Sequence, residues 1–249
     1  MRSLVALALA AGIAVEAIVG CASSRPTGII VFAAASLKST FTELGRQFEK
    51  DHPGTKVTFN FAGSSDLATQ LDQGAPADVF AAADTANMAK AVAAGVVSGD
   101  PIDFATNTLT IVTPPGNPLN IASFNDLAKP GIQVVVCAPQ VPCGSATEEV
   151  ENHTGVTLSP VSEESAVTDV LGKITTGQAD AGLVYVTDAA GAGDKVTAIP
   201  FPESRGAVNT YPIAILAESV NPADAEDFID LLLGPRGQSV LATAGFAAP

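Results

Sequence analysis

The sequence predicts an α/β fold built as two lobes, each a mainly parallel sheet flanked by helices. Three observations lead there. Apolar runs of strand length alternate with helix-type spacing from residue 28 to the C-terminus. Several runs, such as Gly28–Ala34 (GIIVFAA), are continuously apolar, as strands covered on both faces must be. About nine such runs occur in 249 residues, which suits two lobes better than one.

The elements follow in order. Gly28–Ala34 is a strand running into Ser36, after which Leu37, Phe41, Leu44 and Phe48 recur at helical spacing. Lys56–Phe61 alternates as a strand and leads into Gly63-Ser64-Ser65 and a helix carrying Leu67 and Leu71. Ala77–Phe80 is a short strand, and Asp84 caps a helix carrying Met88, Ala91 and Val92. Thr108–Val112 is a strand stopped by Pro114-Pro115-Gly116, and Ser123-Phe124-Asn125-Asp126 fits a helix start. Gln133–Ala138 is a strand, and Ser145-Ala146-Thr147-Glu148 has the spacing of a capping box. Val167, Val170, Leu171 and Ile174 trace a helix face, while Ala181–Val186 and Val196–Phe201 are strands. Tyr211–Leu216 is the last strand. Asn221-Pro222 then opens a helix with face Phe228, Ile229 and Leu232, and Gly234-Pro235 stops it. No internal repeat or low-complexity linker appears, so strand-like crossings near Ala105–Thr108 and Asn209–Tyr211 are expected to join the lobes.

Composition narrows the function. Twelve Lys+Arg stand against 26 Asp+Glu, a formal charge of −14, which excludes sequence-independent binding to a nucleic-acid backbone. A 47% hydrophobic and 15% charged chain is not a disordered acidic tail. Two histidines are too few for multinuclear zinc chemistry. They sit in polar contexts, Lys50-Asp51-His52-Pro53 and Glu151-Asn152-His153-Thr154, and G-x-S-x-G is absent, so a serine nucleophile would lack its base. The expectation is a chain that is not an enzyme.

Residues 1–20 (MRSLVALALAAGIAVEAIVG) have the layout of an export signal: Arg2, an apolar run, then small residues. Cys21 follows in Ile18-Val19-Gly20-Cys21-Ala22-Ser23, which resembles a bacterial lipobox; a plain signal with a chance cysteine is the alternative. A lipidated Cys21 would anchor the exported chain to the outer face of the cell membrane through residues 21–27 as a tether. Cys137 and Cys143 then remain, six positions apart around a proline-containing loop. Outside the cytosol such a pair forms a disulfide; two buried free thiols are the alternative.

Chemistry concentrates at three strand-to-helix junctions: Ala33-Ala34-Ala35-Ser36-Leu37, Phe61-Ala62-Gly63-Ser64-Ser65 and Val141-Pro142-Cys143-Gly144-Ser145. Each offers backbone N–H groups at the positive end of a helix dipole, with small side chains that admit a ligand. Any one serine alone reads as an ordinary helix cap. Several together, with no charged residue at their tips, read as an anion site.

The stretches Ile30-Val31-Phe32-Ala33-Ala34-Ala35-Ser36-Leu37, Phe61-Ala62-Gly63-Ser64-Ser65-Asp66-Leu67-Ala68 and Gly74-Ala75-Pro76-Ala77-Asp78-Val79-Phe80 resemble segments of the bacterial periplasmic molybdate-binding proteins. Gly182-Leu183-Val184-Tyr185, Thr210-Tyr211-Pro212-Ile213-Ala214 and Gly245-Phe246 follow in the family's order. The resemblance implies the type II periplasmic binding protein fold, with a cleft between the lobes. It implies lobes at 28–105 plus 217–249 and at 106–216. It also implies Ser36, Ser64, Cys143, Val167 and Tyr185 as the ligand's donors. Cys143 departs from the small residue usual there, which leaves a backbone contact intact. The ligand implied is molybdate or tungstate, held as the oxyanion with no direct protein–metal bond and no cofactor. The partners implied are ABC permease subunits, the chain itself being a monomer. Molybdate at neutral pH accepts hydrogen bonds and offers none, so a site of hydroxyls and amides without a carboxylate suits it. Phosphate still carries a proton that a carboxylate would recognise. Sulfate or phosphate in the same fold is the alternative ligand, with sulfate to be excluded by pocket size.

Overall fold

The structure, a computed structural model, describes residues 28–249. The expected signal segment, Cys21 and the tether lie outside the described residues. Two five-stranded sheets organise the chain. The first comprises β1 (Gly28–Ala34), β2 (Lys56–Ala62), β3 (Val79–Ala81), β4 (Val97–Asn107) and β10 (Asn209–Leu216), in the order β2-β1-β3-β10-β4. The second comprises β5 (Leu109–Thr113), β6 (Val134–Cys137), β7 (Ser162–Glu164), β8 (Ala181–Tyr185) and β9 (Thr197–Ile199), in the order β7-β6-β8-β5-β9. In each sheet the first three strands pair in parallel and the fourth is reversed, β10 in one and β5 in the other. The sheets are therefore mixed: four of five strands share a direction, yet half of the pairings are antiparallel.

Among the described residues, eight α-helices cover these sheets. They are α1 (Lys38–Asp51), α2 (Ser64–Asp72), α3 (Thr85–Ala93), α4 (Pro142–Thr154), α5 (Val167–Thr175), α6 (Val186–Ala192), α7 (Pro222–Leu233) and α8 (Pro235–Ala244). Under the first sheet, α1 and α7 bury Phe41, Phe48 and Phe228, whose rings meet Phe59 and Phe104 edge-on or tilted. Burying aromatic rings of this size contributes roughly 2–3 kcal/mol each, so this cluster is a main source of the first lobe's stability. The second core packs Val134, Val135, Ile111 and Leu183 against Val150, Val167, Val170 and Ile174 of α4 and α5.

Several expectations are corrected. The Ser145–Glu148 box does not start a helix: α4 begins at Pro142, because proline at the first helical position fixes φ and needs no N–H partner. Of the apolar residues on α3, Met88 and Ala91 turn inward, whereas Val92 is 45% exposed. Gly234-Pro235 ends α7 but Pro235 also opens α8. The long edge strand β4, short β7 and helix α6 carry too few periodic apolar residues to stand out in the sequence. The expected boundary at 216/217 puts the strand 209–216 in the second lobe, whereas its hydrogen bonds to β3 and β4 place it in the first sheet.

The chain crosses between sheets twice. Thr108 alone separates β4 from β5, and Ala207 and Val208 precede β10. Asn107 and Asn209 are register partners at these crossings. Asn107 Nδ2 donates to Thr187 Oγ1 in the second lobe at 2.8 Å. The C-terminal segment returns here as well, where Ala247 and Thr106 exchange backbone hydrogen bonds. Cys137, at the end of β6, and Cys143, in the first turn of α4, form a disulfide.

Candidate functional site

Four helical starts converge on one small cavity between the lobes. Two come from the first lobe: the 3₁₀ turn Ala35–Leu37 that leads into α1, and α2. Two come from the second: α4 and α5. Their N-cap residues are Ala34, Gly63, Val141 and Ala166, and none supplies a side-chain cap. The first N–H groups of a helix have no partner within it, so these amides are left for a ligand, each at the positive end of a dipole. Side-chain caps occur elsewhere on α3 and on the Ser123 turn, while α7 and α8, which open on Pro222 and Pro235, also lack them. Asp84 accepts from Asn87 N–H at 2.8 Å, and Ser123 and Asp126 form a reciprocal box. Neither of those caps lines the cavity.

Ser36, Ser64, Cys143, Val167 and Tyr185 all line this one space. The serines are not caps, since each stands past the N-cap position. Ser64 Oγ accepts from Ala83 N–H at 3.0 Å, so its own hydrogen remains to be donated. Ser36 Oγ lies 3.1 Å from Tyr211 Oη, which also accepts from Asn107 Nδ2 at 3.5 Å. Asn107, Tyr211 and Ser36 thus form a chain of hydrogen bonds in which donors can polarise one another toward the cavity. Cys143 and Val167 stand in the first turns of α4 and α5, where a backbone N–H has no partner within the helix. Tyr185 is 1% exposed and its hydroxyl has no partner among the described residues. A buried orphan hydroxyl costs roughly 1–3 kcal/mol, which a bound acceptor would recover. Burial, with Tyr211, Asp84 and Asp188 nearby, pushes the Tyr185 phenol well above its ordinary range, so it remains an O–H donor. Burial also raises Tyr211. Ser65 Oγ is likewise buried without a partner but does not line the cavity. His52, at the end of α1, and His153, in α4, are both absent from its wall.

Two carboxylates close behind the site escape sequence reasoning, because neither is at a serine-bearing junction. Burial pushes the part-buried Asp188, which accepts from Tyr185 N–H at 3.2 Å, up to about 7. Burial likewise raises Asp84, against the hydrogen bonds from Asn87 and the charge of Lys90. Both are displaced toward the neutral form, which lessens their repulsion of an anion. Among the described residues, no Asp, Glu, Lys or Arg lines the cavity itself.

The lobes stand closed. A Cβ on Gly63 would meet Ser165 O, across the cleft, at 2.0 Å. Gly63 has φ −61°, which any residue tolerates, so glycine is needed here for this close approach rather than for its backbone freedom. A larger depression beside Asp78 and Val220 lies at the opposite ends of the first sheet's strands and is not fed by uncapped helices.

Two mixed α/β lobes joined by two crossings, closed on a small space walled by amides and hydroxyls, define a receptor for a small solute. The family model for bacterial extracellular solute-binding proteins matches residues 29–247. A molybdate-binding protein ModA of Mycobacterium tuberculosis (H37Rv) is 52% identical over 252 residues, covering 97% of either chain. The solved periplasmic molybdate-binding protein of Azotobacter vinelandii superposes with a TM-score of 0.78 at 24% identity, over 89% of this chain and 99% of its own. The sulfate-binding protein SubI of M. tuberculosis superposes equally well, TM-score 0.78 at 22% identity, over 89% and 87%. At such identities these superpositions show the fold alone. The chain belongs to the bacterial extracellular solute-binding proteins, a family of receptors and not of enzymes.

Gly63→Ala is expected to leave the unliganded melting temperature unchanged while weakening ligand binding at least about 100-fold, because the added methyl clashes only when the lobes meet. Calorimetric titration beside thermal melting checks it. A second expectation concerns pH. The native state holds the Asp188 proton up to about pH 7, whereas the ordinary carboxyl value is 3.8. Its contribution to stability is thus full below about pH 4 and is lost as pH rises through about 7. Asp188→Asn keeps an acceptor for Tyr185 N–H without the titration. Its unfolding free energy should match wild type near pH 4 and exceed it by about 1–3 kcal/mol at pH 8, allowing for partial exposure. Denaturant unfolding at the two pH values reads the difference.

Proposed function

We propose that this chain binds molybdate outside the cytoplasm, with tungstate as an equivalent ligand, and delivers it to the permease of an ABC importer. The observation that carries the reading is the donor-only wall: four uncapped helix starts and a free tyrosine hydroxyl meet in one closed space that no charged side chain lines. In this reading Ser36 and Ser64 donate through hydroxyl and amide, Cys143 and Val167 through their amides, and Tyr185 through its phenol. An anion that only accepts hydrogen bonds is matched by such a wall. Charge-assisted hydrogen bonds contribute roughly 1.5–3 kcal/mol each, so half a dozen exceed the cost of bringing the lobes together. The relative that is 52% identical carries the molybdate-binding name, which supports the same ligand here.

Both walls come from one chain, which supports action as a monomer. Cys21 as a lipidated N-terminus would hold the receptor at the membrane that carries its permease. Export also agrees with the disulfide between Cys137 and Cys143, since such bonds persist outside the cytosol.

A panel of oxyanions tests the reading. Molybdate and tungstate should raise the melting temperature, and sulfate and phosphate should not. Stabilisation by phosphate or sulfate alone would sink it. Within the same panel, Tyr185→Phe should weaken molybdate by about 1–3 kcal/mol in calorimetry, the range for leaving a desolvated acceptor unpaired. Unchanged affinity would remove Tyr185 from the donors.

A further inference from the structure

Two side-chain amides of the first lobe grip a single loop of the second. The loop joins β6 to α4 and is spanned by the Cys137–Cys143 disulfide. Asn87 Nδ2 donates to Gln140 O at 3.3 Å. Asn209 Nδ2 donates to Ala83 O in its own lobe at 2.9 Å and to Pro142 O in the other at 3.3 Å. Both asparagines are buried, at 1% and 6% exposure. Gln140 and Pro142 flank Val141, the N-cap of α4, whose Cγ1 lies 3.7 Å from a Cβ built on Gly63.

The grip reaches the cavity from both sides without entering it. Ala83 and Pro142 are opposite walls of the cavity, and Asn209 ties one to the other while lining none of it. Ala83 also donates its N–H to Ser64 Oγ, so Asn209 bears on a donor of the first wall. Pro142 precedes Cys143, so Asn209 bears on a donor of the second. Asn87 is itself fixed: its Nδ2 donates to Asp84 Oδ2 at 2.9 Å and its Oδ1 accepts from Lys90 Nζ at 3.0 Å. The disulfide ties the loop's two ends together, so a pull on its carbonyls moves the start of α4 with it. Asn209 Oδ1 is buried without a partner, a cost that packing within one lobe does not explain.

We propose that Asn87 and Asn209 form a closure clip: positioning residues that hold the two walls at one separation and thereby set ligand retention and size selectivity. This rests on the oxyanion reading of the cavity. The contacts to Gln140 and Pro142 join the two lobes in this closed arrangement. They weight the closed state whatever ligand is present, and apparent affinity scales with the closed fraction. They also fix wall spacing, the property that separates a larger tetrahedral dianion from a smaller one when both merely accept hydrogen bonds.

The test compares wild type with Asn87→Ala, Asn209→Ala and the double variant. Molybdate and sulfate affinities are measured by calorimetry. Molybdate release is followed by rapid desalting and molybdenum analysis. The double variant should bind molybdate about five- to fifty-fold more weakly, through faster release, with a smaller molybdate-to-sulfate ratio. Release and selectivity within about twofold of wild type would overturn the clip. So would equal weakening of both anions together with a lowered unliganded melting temperature, the mark of a merely structural role. A wild-type protein that takes sulfate and ignores molybdate overturns the ligand reading instead, and the clip is then scored on sulfate release by the same comparison.

Discussion

Helix starts left without caps are the constraint around which this molecule is arranged. A side-chain cap typically stabilises a helix by about 1 kcal/mol, and this chain forgoes it at four junctions that face one space. It keeps ordinary caps on α3 and on the Ser123 turn, which point elsewhere. α7 and α8 lack side-chain caps too, but neither start lines the cavity, so what is local is the convergence of four uncapped starts on one space. Orphan amides are tolerable only where something else satisfies them, and a multivalent acceptor between the lobes satisfies several at once. The parallel portion of each sheet follows from this need. Parallel strands β1, β2 and β3 deliver their helices from one edge, and β6, β7 and β8 do the same opposite. The carboxyl edges of the two sheets can then face each other across a cleft.

Much of this was legible from residues. Continuous apolar runs located β1, β6, β8 and β10 because those strands are buried along most of their length, whereas alternation located β2, which is half-buried. The serine junctions were legible because small residues precede a hydroxyl at a helix start. Less legible was anything that depends on the two lobes meeting. Asp188 and Asp84 look like ordinary helix-start acids in sequence, yet burial in the folded chain raises both. Asn209 reads in sequence as part of a crossing between the lobes, and only the three-dimensional structure shows its side chain spanning two walls. β4 escaped notice because an edge strand with exposed residues and bulged pairing has no continuous apolar pattern.

Fold and ligand separate here in an instructive way. A molybdate-binding and a sulfate-binding structure superpose on this chain with the same TM-score. The lobes and their strand order therefore leave the choice between tetrahedral dianions open. That choice must lie in dimensions finer than topology: which amides are uncapped, where Gly63 lets the lobes approach, and what holds the walls apart. Gly63 fixes the minimum separation from one side, since any side chain there meets Ser165 O. The disulfide holds the facing loop from the other.

The net charge of −14 makes the arrangement more demanding. A dianion approaching this surface meets a repulsive field, screened beyond about 8 Å at physiological salt. Attraction must then be short-ranged, from dipoles that become effective once water has left the cleft. Short-range dipoles are worth most when fixed in place beforehand, because reorienting them on binding would consume what they gain. The relay from Asn107 through Tyr211 to Ser36, the Ala83 bond that aims Ser64, and the bridged loop before Cys143 all serve that fixing. The same reasoning explains why Asp84 and Asp188 are buried rather than exposed near the site. In water they would carry full charge beside the anion. Under cover each is displaced toward its proton, so the acidic excess of the chain is kept to the solvated exterior.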